Sequence, residues 1–281
     1  MIVAPATRDE FLALMEATYG SAMPATEFDW WFDRNPAGPR ILNAARDDDG
    51  APLGAAAMSC ARMSQGLAAF AVHIMTAPEA RGRGVFSALE LHNEEEAAAG
   101  GATWALGFTN PMAGPIYVGK LGWEDVASLR IWVRPTRIRR RGRGGLRVAA
   151  GVPRVEAGRA GSAHHIVRDP QYLNWRYSDS PRAYARVDDV IVTQASWHGF
   201  AAAVICLGGP ARALRRAVAA VDADIAVAMV NPGEERTYLG AGFLPSPRSI
   251  RFIGKRLTDD APPLPKRRDA WHFSLGDLDF F

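Results

Sequence analysis

The feature that most constrains the fold is a stretch rich in glycine and arginine between a predicted strand and a predicted helix. An apolar, β-prone segment covers residues 67–75 and ends before Pro78, and a helix-forming run extends from Val85 to Ala99. The loop between them contains Arg81, Gly82, Arg83 and Gly84. Glycine has no Cβ to keep an anion away, the first amides of a helix lack backbone acceptors, and arginine adds positive charge. The stretch therefore predicts a phosphate-binding site.

The loop lacks the common nucleotide-binding motifs. It has no Gly-x-x-x-x-Gly-Lys-[Ser/Thr] sequence, which would place a lysine and a hydroxyl for a γ-phosphate and magnesium. It also has no Gly-x-Gly-x-x-Gly sequence opening a dinucleotide fold. The run Arg81-Gly82-Arg83-Gly84-Val85-Phe86 instead resembles the Arg-x-x-Gly-x-[Gly/Ala] signature of the GCN5-related N-acetyltransferase (GNAT) superfamily.

This resemblance implies acetyl-CoA as the co-substrate. In that family the loop amides hold the pyrophosphate, and the preceding strand offers backbone hydrogen bonds to the pantetheine arm. The resemblance thus assigns cofactor binding to the strand residues Ile74, Met75 and Thr76 and to the loop and helix residues Arg81, Gly82, Arg83, Gly84, Val85, Phe86 and Ser87. Phe86 departs from the small residue usual at that position, and this departure resembles a subgroup with larger, two-lobed chains.

A second motif lies in residues 109–123 and resembles the family's Asn-x-x-Ala-x-x-x-Tyr-x-Lys-x-Gly-Phe segment. The resemblance places Asn110 near the cofactor and makes Tyr117 a candidate general acid for the departing thiolate. Counting back from Gly122, however, puts Val118 in the tyrosine position, because the chain carries one extra residue here. Tyr117 as a packing residue is the alternative interpretation.

The predicted elements follow the order of the same fold. Thr7 and Glu10 have the spacing of a capping box and predict a helix over 8–19, with Phe11, Leu12, Leu14 and Met15 as its apolar stripe. In the later helix, Val85, Leu89 and Leu91 are expected on one side, and His92, Glu94, Glu95 and Glu96 on another. The other predicted elements are strands at 41–46, 53–61, 67–75, 103–108 and 123–133 and a helix at 111–121.

The pattern starts again in the second half of the chain. Strands are predicted at 183–187, 190–196, 200–207 and 225–230, with a helix at 211–221. The aromatic segment 169–177 resembles the earlier segment 28–38. The resemblance to two-lobed GNAT-like chains makes Trp30 and Trp31 of that segment candidates to wall the acceptor site, and packing on the sheet is the alternative. The turn at 207–212 lacks an Arg-x-x-Gly-x-Gly sequence. We therefore predict an α/β (α+β) fold of two GNAT-like lobes, each a mixed, mostly antiparallel sheet flanked by helices. Their predicted bounds are 1–133 with the acetyl-CoA site, a linker at 134–163, and 164–281 without a pyrophosphate loop.

Composition limits the function classes. The 281 residues carry a formal net charge of +3, yet seven arginines fall within residues 134–147 among interleaved glycines. An exposed connector is favoured there over nucleic-acid binding, because aromatic companions are absent.

Cys60 and Cys206 lie in apolar runs and are expected to be buried free thiols, so no metal is predicted. Without a long apolar run or a signal peptide, we expect a cytoplasmic protein that does not bind membranes. The oligomeric state is not predicted.

The resemblance implies transfer of an acetyl or other acyl group from acetyl-CoA to a primary amine of a small molecule. The amine would attack the thioester directly, without a covalent enzyme intermediate. Candidate bases are His73, Glu79, Asp277 and Asp279, and a water relay would also serve. The aromatic C-terminal segment 271–281 is expected to dock, so that its two aspartates recognise the ammonium group. Two alternatives are a non-catalytic module that binds acyl-CoA or a metabolite, and aminoacyl transfer from tRNA.

Overall fold

The computed structural model of the protein describes residues 1–136 and 164–278. The strands in chain order are β1 (Ile2–Pro5), β2 (Ile41–Arg46), β3 (Pro52–Met63), β4 (Gly66–Thr76), β5 (Ala102–Thr109), β6 (Glu124–Pro135), β7 (His164–His165), β8 (Ala185–Val187), β9 (Val190–Trp197), β10 (Phe200–Leu207), β11 (Ile225–Met229), β12 (Leu244–Arg256) and β13 (Trp271–His272). The α-helices are α1 (Arg8–Tyr19), α2 (Ala25–Phe28), α3 (Val85–Ala99), α4 (Gly114–Lys120), α5 (Pro170–Leu173), α6 (Ala211–Ala219) and α7 (Glu235–Gly240). A π-helical turn follows α2 at Asp29–Asp33 and α5 at Asn174–Ser178.

The chain divides into two compact units. Unit 1 consists of Met1–Ala127 and Arg251–Lys266, and unit 2 of Ser128–Ile250 and Arg267–Phe281. The long strands β6 and β12 each run from one unit into the other. This division differs from the bounds that the sequence predicted, because residues 251–256 pair with β5 and residues 131–135 pair with β11. A strand pattern in a sequence identifies a strand but not the sheet that it joins.

Unit 1 is built on a sheet with the strand order β1-β2-β3-β4-β5-β12. The β4–β5 pair is parallel and the other pairs are antiparallel. Helix α3 lies on this sheet and buries Val85 and Leu89 against Ala45, Leu53 and Ala56. Gly54 in β3 permits this approach, since a Cβ there would lie 2.5 Å from the Met75 carbonyl oxygen and 2.9 Å from Val85 Cγ1.

Unit 2 repeats this arrangement with the order β6-β11-β10-β9-β8. Here the β10–β11 pair is parallel, and the neighbouring pairs are antiparallel. Helix α6 buries Leu214 and Ala217 in a core that also contains Val190, Val192 and Phe243. The predicted fold class is therefore confirmed, with two lobes that each consist of a mixed, mostly antiparallel sheet and flanking helices.

Local sequence signals located several elements correctly. Helix α1 has the predicted bounds, and the Thr7 hydroxyl accepts a hydrogen bond from the Glu10 backbone N–H at 3.2 Å. The Glu10 carboxylate binds Arg46 (2.5 and 2.8 Å). Helix α3 also has the predicted bounds, but two residues differ from the predicted sides. Glu94, predicted among the polar residues, is buried, and Leu91, predicted among the apolar residues, is 44% exposed.

The sequence also predicted the state of the two cysteines. Cys60 and Cys206 are buried free thiols, as predicted. Burial raises the pKa of Cys60 to about 11 and that of Cys206 to about 12. Within residues 1–136 and 164–278, no helix combines the length and the apolar character needed to span a membrane. The same residues contain no group of three or more histidine, cysteine, aspartate or glutamate side chains that could hold a metal ion.

Candidate functional site

The second half of β4 has an open edge. Ala71 lies opposite Met58 and His73 lies opposite Ala57, so Val72 forms a β-bulge between them. The parallel pairing of β4 with β5 ends at Ala71 and Gly107, although β4 itself continues to Thr76. Within the described part of the chain, the last residues of β4 therefore pair with β3 on one side and with no strand on the other.

The register decides which backbone groups face this open edge. The Ala77 backbone N–H donates to the Leu53 carbonyl at 2.9 Å, so Ala77 points its hydrogen-bonding groups toward β3. Because these groups alternate in an antiparallel pair, Met75 also faces β3, whereas Ile74 and Thr76 face away from it. Of the three strand residues predicted to bind the cofactor, Ile74 and Thr76 can thus pair with an extended ligand through their backbone. The Met75 side chain is buried.

Tyr19, at the end of α1, contacts this edge, which the sequence had not indicated. Its hydroxyl donates a hydrogen bond to the Ile74 carbonyl oxygen at 3.0 Å. Partial burial raises the pKa of Tyr19, and the positive charge of Arg81 opposes this rise. Tyr19 therefore lies beside both the open strand edge and the arginine loop.

The loop after β4 presents a row of backbone amides. Gly82 and Gly84 have φ values of +77° and +80°, which favour glycine, and Gly84 is the N-cap of α3 without a side-chain cap. Among the described residues, no acceptor forms a hydrogen bond with the backbone N–H groups of Gly82, Gly84, Val85, Phe86 and Ser87. A Cβ on either glycine would meet no atom within 4 Å, so the space beside the loop is open.

Arg81 and Arg83 complete the electrostatics of the loop. Both side chains are exposed, and no carboxylate of residues 1–136 or 164–278 forms an ion pair with either of them. Unpartnered amides at the positive end of a 15-residue helix, together with two arginines, favour an anion such as a pyrophosphate. The residues present therefore fit the phosphate group that the sequence predicted.

Phe86 faces an aromatic cluster inside unit 1. Its ring centroid is 5.2 Å from that of Tyr117, and Tyr117 is 4.5 Å from Trp123. Tyr117 is buried on α4, where burial raises its pKa well above the ordinary value, and Glu90 is its hydrogen-bond partner. Tyr117 thus packs on its neighbours and also has a polar partner, so both interpretations of this residue are compatible with its surroundings.

Two buried glutamates on α3 adjoin this cluster, and sequence reasoning missed both. Glu94 accepts hydrogen bonds from Trp123 Nε1 at 2.6 Å and from Lys255 Nζ at 2.5 Å. Glu90 is 1% exposed, and among the described residues its Oε1 has no hydrogen-bond partner. Burial, followed by the negative charge of Glu94, raises the pKa of Glu90 to about 8.

The other candidates of unit 1 have varied surroundings. The Asn110 side-chain oxygen accepts hydrogen bonds from the backbone N–H groups of Met112 and Ala113, both at 2.9 Å, and so shapes the turn before α4. His73 is partly buried, with its ring 6.2 Å from Phe11. Trp30 and Trp31 are buried with ring centroids 5.2 Å apart. Their burial favours a packing role over the predicted wall of an acceptor site.

In unit 2 the corresponding end of β10 is filled by the chain itself. A bulge at Cys206 matches the one in β4, and pairing with β11 ends at Val204 and Val227. The C-terminal segment packs on this bulge, since a Cβ on Gly276 would lie 2.5 Å from the Cys206 carbonyl oxygen. Helix α6 follows Pro210 as its N-cap, and Gly208 and Gly209 do not have positive φ values. The described turn before α6 thus lacks the two left-handed glycines of the loop before α3.

The C-terminal segment is docked in unit 2 as far as it is described, with Trp271 and Phe273 fully buried. Asp277 pairs there with Arg168 Nη2 at 2.5 Å and accepts hydrogen bonds from Ser274 N (2.8 Å) and Ser274 Oγ (3.0 Å). Burial alone would raise the pKa of Asp277, but Arg168 and Ser274 outweigh it and hold the pKa below the ordinary value. These contacts favour an anchoring role for Asp277 over amine recognition. Asp279 lies outside the described residues.

Comparison with known proteins identifies the fold. No protein-family model matches the sequence, and no curated protein matches it significantly. Among solved structures, a GCN5-related N-acetyltransferase from Anabaena variabilis ATCC 29413 has 13% sequence identity and a TM-score of 0.60, covering 92% of this chain and 73% of that one. A GCN5-related N-acetyltransferase from Kribbella flavida has 16% identity and a TM-score of 0.58, with coverages of 91% and 72%. Eis1 from Mycobacterium abscessus has 17% identity and a TM-score of 0.56, with coverages of 92% and 74%.

Proposed function

We propose that this chain, which has the fold of the GCN5-related N-acetyltransferases, transfers an acetyl group from acetyl-CoA to a primary amine of a small molecule. The observation that carries the proposal is the continuity of two features in unit 1. The open end of β4 leads directly into a loop of unpartnered amides at the start of α3. An extended ligand with a pyrophosphate group matches both features.

The binding residues follow from this match. The amides of Gly82, Gly84 and the first turn of α3 would hold the pyrophosphate, with Arg81 and Arg83 supplying positive charge. The backbone groups of Ile74 and Thr76 would bond the amides of the pantetheine arm in the manner of an added strand. Gly82 and Gly84 adopt backbone conformations that other residues rarely adopt, which explains the residue type at both positions.

Acetyl-CoA supplies an acyl group already activated as a thioester. The chain therefore has three tasks, which are to orient the two substrates, to exclude water and to move protons. A backbone N–H at the open edge of β4 can polarise a carbonyl group, and Tyr117 is the candidate proton donor for the leaving sulfur. His73 and Glu79, which both belong to unit 1, are the candidates for removing a proton from the amine. An amine acceptor is inferred from the N-acetyltransferases that share the fold, and its being a small molecule is part of the proposal.

Thermal-shift titration with acetyl-CoA, followed by a thiol-release assay over a panel of primary amines, tests this function. We expect stabilisation by acetyl-CoA and release of the CoA thiol that depends on one class of amine. Stabilisation without thiol release for any amine would favour the non-catalytic binding module. Salt-sensitive binding of tRNA would instead favour the aminoacyl-transfer alternative. Absence of any stabilisation by acetyl-CoA or CoA would contradict the proposal.

A further inference from the structure

A buried carboxyl group contacts the candidate proton donor. Glu90 lies on α3, one helical turn after Phe86, and is 1% exposed. The Tyr117 hydroxyl is its hydrogen-bond partner, and its Oε1 has no partner among the described residues. The charged or titratable groups that influence it are Glu94 on α3, Tyr117 on α4 and Lys255 on β12. Glu94 is itself bound by Lys255 and by Trp123 Nε1.

The protonation state of Glu90 sets the direction of its bond to Tyr117. An ionised carboxylate has only acceptor oxygens, so Tyr117 would have to donate its single proton to Glu90. A neutral carboxyl group can donate its own proton to the phenolic oxygen, which leaves the Tyr117 proton free to point elsewhere. Burial beside Glu94 raises the pKa of Glu90 to about 8, so the neutral form predominates at neutral pH.

We propose that Glu90, as a neutral carboxylic acid, is a positioning residue that donates a hydrogen bond to the Tyr117 oxygen and directs the Tyr117 proton toward the sulfur leaving from acetyl-CoA. This inference rests on the proposed function. The Tyr117 O–H bond breaks as the S–H bond forms, and the proton lost by the amine on becoming an amide restores Tyr117. Glu90 keeps its proton, and its hydrogen bond stabilises the phenolate oxygen in the transfer step. Ionised Glu90 would repel that negative charge.

The test compares the pH dependence of kcat in the wild type and in Glu90→Gln, Glu90→Met and Tyr117→Phe, with Glu95→Gln as the control. Glu95 lies on the same helix but is exposed. The glutamine amide can donate to Tyr117 and does not ionise, so Glu90→Gln should stay within about threefold of the wild type at pH 7. The ratio of its kcat to that of the wild type should then rise with pH above about 8, up to tenfold per unit. This ratio cancels the ionisation of the amine.

Glu90→Met cannot donate and should lose at least about tenfold in kcat at pH 7 with little change in the acetyl-CoA KM, as should Tyr117→Phe. A flat ratio for Glu90→Gln, or full kcat in Tyr117→Phe, would overturn the inference while leaving the proposed function intact. If Glu90→Met does not fold, the pH profile of Glu90→Gln decides. A wild type that binds acetyl-CoA but releases no thiol with any amine would overturn the proposed function and this inference with it.

Discussion

Individual residues in unit 1 divide into those that local sequence identifies and those that it does not. Arg81 to Ser87 form one continuous stretch, so the phosphate loop could be predicted from glycine and charge alone. Tyr19 and Glu90 could not be predicted, because their partners Ile74 and Tyr117 are distant in sequence. Nothing local to a tyrosine at a helix end or a glutamate in a helix indicates such a contact.

Substitution of Gly84 tests the loop at one residue. Asparagine and aspartate tolerate positive φ better than other side chains and have the same size. A Cβ at Gly84 meets no atom within 4 Å, so both variants should fold. Gly84→Asp places a negative charge at the pyrophosphate site and should weaken acetyl-CoA binding at least about tenfold more than Gly84→Asn does. Calorimetric titration of the two variants measures this difference, and equal affinities would contradict the assignment of the loop.

Tyr19→Phe tests the open edge of β4. The variant frees the Ile74 carbonyl oxygen, which Tyr19 binds at 3.0 Å, to accept from a ligand amide. A typical hydrogen bond contributes about 1 kcal/mol, so we expect CoA to bind several-fold more tightly, with an unchanged melting temperature because Tyr19 is largely exposed. Weaker binding, measured by the same titration, would show that the hydroxyl contacts the ligand instead.

At the scale of helices and strands, sequence patterns predicted the bounds of elements but not the contacts between residues distant in sequence. Helix α3 was predicted with its bounds, yet Glu94 was grouped with the polar residues of one side, because Lys255, which neutralises it, lies 161 residues later. Strand β12 was missed altogether: it begins with prolines and polar residues, and its last residues are stabilised by pairing with β5. Both errors have the same origin, since the compensating contact is not local.

The buried face of α3 should make stability depend on pH. The pKa of Glu90 is raised from 4.5 to about 8, so the folded protein retains a proton that the unfolded chain releases between these values. The contribution of Glu90 to the free energy of unfolding is therefore fully present below about pH 4.5. It falls as pH rises toward 8, by up to about 1.4 kcal/mol per pH unit. Glu90→Gln should lack this loss, and Glu95→Gln should retain it. Denaturant unfolding at several pH values measures the slopes, and parallel slopes in Glu90→Gln and the wild type would refute this account.

The C-terminal segment should depend on the buried pair of Arg168 and Asp277. Removing one partner leaves a buried charge, so Arg168→Met should cost about 3–5 kcal/mol at pH 7, whereas Arg216→Met, in an exposed pair with Asp188, should cost less than about 1 kcal/mol. Because the pKa of Asp277 is lowered, the contribution of the pair is present above its ordinary pKa and is lost as pH falls. The deficit of Arg168→Met should thus shrink toward pH 3 in thermal unfolding. A deficit that does not change with pH would argue against the pair as its cause.

At the scale of the whole molecule, two units share a strand order but differ at one strand end. In unit 1, β4 ends beside an amide loop with two left-handed glycines, whereas in unit 2 the C-terminal segment packs on the end of β10, and the described turn that follows has no left-handed glycine. The sequence predicted two lobes and the missing loop of the second. It did not predict that residues 251–266 belong to unit 1, because no local sequence pattern shows which strand residues 251–256 pair with. We accordingly expect that only unit 1 binds acetyl-CoA.

Calorimetric titration of the full chain with acetyl-CoA tests this central claim most directly, with the Gly84→Asp variant titrated in parallel. We predict one molecule bound per chain for the wild type and no measurable binding for Gly84→Asp, while both proteins unfold at similar temperatures in the absence of ligand. Two equivalent sites per chain, or undiminished binding by a folded Gly84→Asp variant, would contradict the account.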